Sequence, residues 1–279
     1  MKKVIAFIRI MRPLNLIQGG IAILVSMSLA DQLPVWWKVL VAIFVVWCYT
    51  GAGNALNDYY DAEIDRINRP TRPIPAGLIR TRQALVFSGL LFGLGTLAII
   101  PIISFQVVII TIAALFLLIS YTPLFKPRPL WGNLVVSTTL GLTFLFGSAV
   151  FGDIGPGIVP GLLAFSFNFI REIVKDMQDI RGDRALGART FPLVYGAYAA
   201  RLLVIGATLL LVIGAPIPYF MGIYGIYYLL VLVLTVEIPL IYVIFSIGRD
   251  SSATNCGRLA AILKGDVFFG LLAIFVGRF

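Results

Sequence analysis

Histidine is absent from the 279 residues, and cysteine occurs only at Cys48 and Cys256. Without imidazole there is no Ser–His or Cys–His pair to activate a nucleophile, and no histidine to ligate zinc. Two cysteines in or near apolar runs cannot build a four-thiolate metal site and read as small packing residues. Charge is scarce as well. Only 13% of residues carry it, against about 25% in an average soluble domain. Of the charged residues 13 are acidic and 22 basic, so carboxylates are rare enough for their placement to matter.

The rest is oily: 59% hydrophobic, with a mean hydropathy of +0.98. A helix crossing ~30 Å of hydrocarbon needs about 20 apolar residues. Nine stretches approximate that length: 14–32, 36–57, 83–101, 104–122, 131–151, 157–177, 192–214, 221–247 and 258–277. No connection between them is long enough for a soluble domain. The chain therefore reads as an all-α polytopic membrane protein, a bundle of about nine transmembrane helices in a single domain, residues 1–279. No small-residue cleavage site follows the first apolar run, so that run is expected to be the first permanent span.

Basic residues orient the bundle, because cytoplasmic loops carry the excess of Lys and Arg. With the N-terminus inside, all but Lys38 and Arg278 of the 22 basic residues fall on one side. The expectation is a multi-pass cell-membrane protein with a cytoplasmic N-terminus and active face and an external C-terminus. The formal charge of +9 is then a matter of topology and anionic lipid and calls for no nucleic acid. No obligatory protein partner is inferred.

The scarce acids are concentrated. In "NALNDYYDAEIDRINRPTRPIPAG", Asp58, Asp61 and Asp65 follow D-x-x-D-x-x-x-D. At about 100° per residue all three face one way if the helix continues, and Asn57 adds an amide oxygen beside them. Glu63 points elsewhere, toward water. The stretch "REIVKDMQDIRGDRALGARTFP" repeats the spacing with Asp176, Asp179 and Asp183, and Glu172 extends the face inward by a turn. These two segments hold eight of the 13 acidic residues, and each closes a predicted span on the cytosolic side. Stacked like charges repel, so a cation should compensate. Hard oxygen ligands suit Mg²⁺, with Mn²⁺ as the other possibility. Asn57, Asp58, Asp61, Asp65, Asp176, Asp179 and Asp183 are the metal candidates. Polar helix ends carrying ordinary ion pairs are the bland alternative.

Prolines at 70, 73 and 75 and Gly77 end the helix after the first row. A stiff loop would hold Arg69 and Arg72 beside the carboxylates, where guanidiniums with a metal would bind phosphate. Lys126 and Arg128 recur among prolines in "YTPLFKPRPLWGNL", with Asn133 opening the next span, and Lys126 joins Arg69 and Arg72 as a phosphate candidate. Two other features stand apart. Glu237, followed by Pro239, lies within an apolar run, where a local break with a paired or protonated carboxyl competes with a functional site. Gly89 and Gly93 form a G-x-x-x-G that in a span reads as close helix packing.

The first segment, Asn57-Asp58-x-x-Asp61-x-x-x-Asp65 followed by "NRPTRPIPAG", resembles the UbiA superfamily of intramembrane prenyltransferases. The second, Asp179-x-x-x-Asp183 with Lys175 upstream, is similar to that family's second Asp-rich motif. The likeness runs the length of the chain. It implies transfer of an isoprenyl group from its diphosphate to an acceptor, with Mg²⁺ held on the diphosphate and the prenyl tail in an apolar cavity opening toward lipid. It makes Asn57, Asp61, Asp65, Lys175, Asp179 and Asp183 the candidates for catalysis.

Within the superfamily, "REIVKDMQDIRGD" and "FKPRPLWGN" resemble the branch that assembles archaeal ether lipids. Such members move geranylgeranyl from its diphosphate onto the free hydroxyl of geranylgeranylglyceryl phosphate, a lipid-phosphate acceptor. Arg171 stands where many aromatic-acceptor members have Tyr, and Arg181 where an acidic residue is common in the lipid branch. Arg171, Lys175 and Asn54 are the acceptor-binding candidates. An aromatic, quinone-type prenyltransferase using the same machinery stays open. So does a divalent-cation or phosphate transporter, although transporters place their sites near the bilayer midplane and these carboxylates cluster at one face.

Overall fold

The computed structural model describes residues 2–30, 35–185 and 187–279, and among these it holds helices and turns but no strand. In order, the helices are α1 (Lys2–Ile10), α2 (Pro13–Ser28), α3 (Trp36–Tyr60), α4 (Ala62–Asn68), α5 (Thr81–Ala98), α6 (Phe105–Ser120) and α7 (Trp131–Val150). There follow α8 (Gly155–Ala185), α9 (Phe191–Gly214), α10 (Ile217–Phe220), α11 (Ile226–Val231), α12 (Ile238–Arg249) and α13 (Ala253–Val276). Among the described residues eight helices are long and apolar enough to cross a membrane. The pair α1 and α2, bent by 53°, makes a ninth if counted as one span. The all-α, multi-span expectation is met. The expected first span ends early, at Ser28, and its residues 31 and 32 lie outside the described residues.

The chain divides into two compact units, Met1–Leu124 with Leu142–Gly157, and Phe125–Gly141 with Ile158–Phe279. In the first, α3 is the central strut. Lipid tails are as apolar as leucine, so helices in a bilayer associate by close packing and hydrogen bonds rather than by escape from water. Small residues and hydroxyls accordingly mark the α3–α5 seam. A Cβ on Gly95 would lie 2.7 Å from the Tyr49 ring and 3.0 Å from the Cys48 Cβ. Ser88 Oγ donates to the Ala52 carbonyl at 2.8 Å, and the Tyr49 hydroxyl pairs with Thr96 Oγ1 at 2.9 Å. The expected packing pair is not the one used: Gly89 and Gly93 are exposed, with open space beside them. Ile23, Val39, Val45, Ala52, Val107 and Phe146 fill the core of this unit.

In the second unit α12 and α13 form an antiparallel hairpin closed by Asn255, whose Nδ2 donates to the Asp250 carbonyl at 2.6 Å. The other end is pinned where Gly225 N–H donates to the Gly277 carbonyl at 2.6 Å. A π-helical segment, Leu232–Glu237, joins α11 to α12. The break expected near Glu237 and Pro239 is not there: the helix widens to π geometry and runs on as one span, Ile226–Arg249. Helices α7 and α8 approach so closely that a Cβ on Gly141 would sit 2.8 Å from the Gly161 carbonyl oxygen.

Candidate active site

In the first unit α3 ends at Tyr60 and the chain turns at Asp61 (φ −85°, ψ 5°) before α4 begins. The ladder barely breaks. Asp61 N–H donates to the Asn57 carbonyl at 2.9 Å, and Asp65 N–H to the Asp61 carbonyl at 2.8 Å. Because the helical path persists, the three aspartates stay on one side and are only 4, 6 and 4% exposed. Glu63, off that line, is exposed as expected.

Guanidiniums answer the buried charge. Arg72 Nη1 donates to Asp58 Oδ1 at 3.2 Å and to Asp65 Oδ2, bridging a full two turns of the row. Its loop is rigid: Pro73 and Ile74 are buried, and Gly77 takes φ 72°, a left-handed turn that glycine adopts without strain. Arg12 Nη2 donates to the same Asp58 oxygen at 2.8 Å. Burial still pushes the Asp65 carboxyl above its ordinary range; Arg72 opposes the shift, while Asp58 and Asp61 add to it.

The amides are already engaged. Asn57 Oδ1 accepts from Thr122 Oγ1 at 3.2 Å, and Asn54 Nδ2 donates to the Met11 carbonyl at 3.0 Å. Arg69 is exposed.

The second row lies on α8, which runs helically to Ala185, well past its apolar part. Glu172 does not simply lengthen the acidic face, as its spacing suggests. It binds cations: Arg171 Nη1 donates to Oε1 at 2.9 Å and Lys175 Nζ to Oε2 at 3.0 Å. Arg171 Nε is buried without a hydrogen-bond partner. Asp176 Oδ2 accepts from Asn133 Nδ2 at 2.8 Å. Asn133 is fixed in turn at the start of α7, where its carbonyl accepts from Ser137 Oγ at 2.6 Å, and Asn168 Nδ2 donates to that hydroxyl at 3.3 Å. Asp179, Asp183 and Lys126 are half-buried, and Arg181 is exposed.

Two participants escaped the sequence reading. Arg12 reads there as a topology signal, although the following Pro13 was a clue: proline disfavours helix at the residue before it. Arg12 takes φ 57°, ending α1 beside the acidic row. Asn133 was noticed only as the start of a span.

Would a divalent cation fit? Among the described residues no three carboxylates converge closely enough to enclose an ion unaided. The first row instead converges on Arg72. Mg²⁺, however, is commonly held by one or two carboxylates, with waters and substrate phosphate completing its shell. Hard oxygen donors in a buried row match that demand, and each row fits such a cation when it arrives with phosphate.

Farther along α8 an apolar cleft of about 720 Å³ lies between α8, α9 and the 217–223 segment. Phe165, Phe169, Gly206, Ala207 and Pro218 are among its walls, and Ser166 is its polar exception.

Residues 20–264 match the model of the UbiA prenyltransferase family. The digeranylgeranylglyceryl phosphate synthase of Natronomonas pharaonis is 36% identical, over 100% of this chain and 98% of its own. The enzyme of the same name from Methanosphaera stadtmanae is 34% identical over 97% and 96%. A solved structure described as digeranylgeranylglyceryl phosphate synthase superposes with a TM-score of 0.78 at 31% identity, covering 100% of this chain and 99% of that one. A UbiA homologue from Archaeoglobus fulgidus, bound to GPP and Mg²⁺, shares the fold with a TM-score of 0.73 at 17% identity, covering 96% and 99%.

Proposed function

Because the chain belongs to the UbiA prenyltransferase family, we propose that it moves a geranylgeranyl group from geranylgeranyl diphosphate to the free hydroxyl of geranylgeranylglyceryl phosphate. The observation that carries this reading is the burial of Asp58, Asp61 and Asp65 at the end of a membrane-length helix. Relatives of like length that bear the synthase name support the choice of substrates.

A divalent cation, Mg²⁺ first and Mn²⁺ as the alternative, supplies Lewis-acid neutralisation of the leaving diphosphate when bound. Asp61 and Asp65, with Asp58 and the Asn57 oxygen, offer it oxygens from the first row. Asp179 and Asp183, with Asp176, do so from the second. Arg69, Arg72 and Lys126 bind the diphosphate oxygens, which takes Arg72 off the carboxylates it now bridges. Arg171 and Lys175 grip the acceptor's phosphate, with Asn54 on the acceptor side. The allylic C–O bond breaks, the acceptor hydroxyl oxygen bonds to the freed carbon, and its proton is released. Shielding from water keeps the allylic cation from hydrolysis. The α8–α9 cleft seats an isoprenyl chain. The protein works in the cell membrane with its N-terminus and active face cytoplasmic and its C-terminus outside.

The test is direct. Purified protein receives labelled geranylgeranyl diphosphate with either geranylgeranylglyceryl phosphate or an aromatic-acid acceptor. Label should enter the lipid phosphate only. Transfer to the aromatic acid alone would replace this reading with a quinone-type one.

A further inference from the structure

Helix α1 presents apolar residues on two sides. Ala6 and Ile10 are fully buried, with Phe7 beside them, against a cluster that includes Ala55, Ala62 and Ile74. Val4, Ile5 and Ile8 lie on another side and are 63, 50 and 51% exposed. At about 100° per residue these three cover an arc of roughly 100°, the width of an amphipathic stripe. Arg9 falls on one flank of it, and Lys3, also exposed, lies near the start of the helix on the Ile10–Phe7 side. The 53° bend at the α1–α2 elbow turns this helix off the axis of the first span.

The buried side of α1 is tied to the first carboxylate row at three points. Arg9 Nη2 donates to the Thr71 carbonyl at 3.1 Å, in the loop that carries Arg72. Asn54 Nδ2 donates to the Met11 carbonyl at 3.0 Å, and Arg12 Nη2 reaches Asp58 Oδ1 at 2.8 Å. Arg12 holds that reach from a left-handed backbone conformation, φ 57°, which non-glycine residues seldom adopt. The elbow is a bend that the surroundings of α1 must maintain.

We propose that α1 is an in-plane anchor seated on an anionic bilayer surface, and that this seating holds Arg12 on Asp58. The occupant follows from continuity and charge. The stripe runs directly into a membrane span, and the exposed cations of α1, Lys3 and Arg9, match the anionic headgroups that draw basic amphipathic helices into the interface. The first carboxylate row is thereby coupled to the bilayer. Only this second half rests on the metal reading above.

Nitroxide labels at positions 3, 4, 5 and 8, one at a time, in full-length protein with Cys48 and Cys256 replaced by alanine, test the seating. In vesicles of phosphatidylglycerol and phosphatidylcholine, collisions with oxygen should exceed those with a water-soluble nickel chelate about fivefold at 4, 5 and 8, and fall below them at 3. Nickel dominance at all four positions overturns the anchor, as does an oxygen preference that needs a second protein or a second copy. The coupling is read without turnover, from the Mg²⁺ concentration giving half-maximal thermal stabilisation. Ile8→Glu takes Arg12 off Asp58 and should lower it about threefold in vesicles but not in detergent, with Ile8→Leu matching the unaltered protein. An unmoved midpoint for Ile8→Glu in vesicles removes the coupling and leaves the labelling result to decide the seating.

Discussion

Asp58 and Asp65 share one guanidinium, and that sharing governs what a substitution at Arg72 does. The side chains of all three are largely shielded from water. Removing one partner of a buried ion pair costs roughly 3–5 kcal/mol, because the other charge is left uncompensated. Arg72→Ala should therefore lower the thermal midpoint clearly, and Asp65→Asn added to it should restore part of the loss. Mg²⁺ should stabilise Arg72→Ala more than the unaltered protein, since the cation would take over the missing neutralisation. Equal stabilisation of both would mean that Arg72 and the metal do not compete for the row. Asp61 and Asp183 differ from this pair, for their proposed work is on the reacting diphosphate. Asp61→Asn or Asp183→Asn should slow turnover by about 100-fold or more with little change in folding. EDTA should abolish activity and added Mg²⁺ should return it; full activity in metal-free protein would end the proposed role of both rows.

Helix α8 shows what a single element can reveal from sequence and what it conceals. Its aspartates were legible because a fixed 3.6-residue period places D-x-x-D-x-x-x-D on one face whatever surrounds it. Its end was not. Hydropathy fades near residue 177, while the helix continues to Ala185, since backbone hydrogen bonds do not depend on side-chain polarity. Partners distant in sequence were hidden too. Asn133 reaches Asp176 across 43 positions, and Arg12 reaches Asp58 across 46. No local period encodes either pair. Gly89 and Gly93 misled for the same reason: spacing cannot tell which side of a helix meets a neighbour and which meets lipid.

The same helix yields a prediction. Arg171 and Lys175 both rest on Glu172, so gripping an acceptor phosphate means exchanging one carboxylate for another anion. Losing that charge-assisted bond, roughly 1.5–3 kcal/mol, should raise the acceptor KM 10-fold or more in Arg171→Ala. The KM for geranylgeranyl diphosphate should move much less. An unchanged acceptor KM with weakened diphosphate binding would assign Arg171 to the leaving group.

At the scale of the whole molecule, the distribution of basic residues makes a claim that packing cannot make. Helices α5 and α6 are joined at Ser104, and α7 and α8 near Gly155; both joints lie between spans with almost no Lys or Arg nearby. The loop containing Thr71 and the end of α8 at Ala185 are crowded with arginine. With the proposed cytoplasmic N-terminus, the positive-inside rule expects the first two positions outside and the last two in the cytosol. All four are exposed, so accessibility within the protein does not bias a labelling experiment. The native Cys48 and Cys256 are buried, and replacing them clears the background. Cysteines placed singly at Ser104 and Gly155 should react with a membrane-impermeant thiol reagent in sealed, right-side-out vesicles. Those at Thr71 and Ala185 should react only after the vesicles are opened. Gly155 brings one local cost, because a Cβ there would lie 2.9 Å from Asp153 Oδ2, a flexible side chain that can swing aside. The opposite labelling pattern would turn the carboxylate rows away from the cytosol. A cytosolic prenyl diphosphate could not then reach them, and the proposed transfer would need a different donor supply.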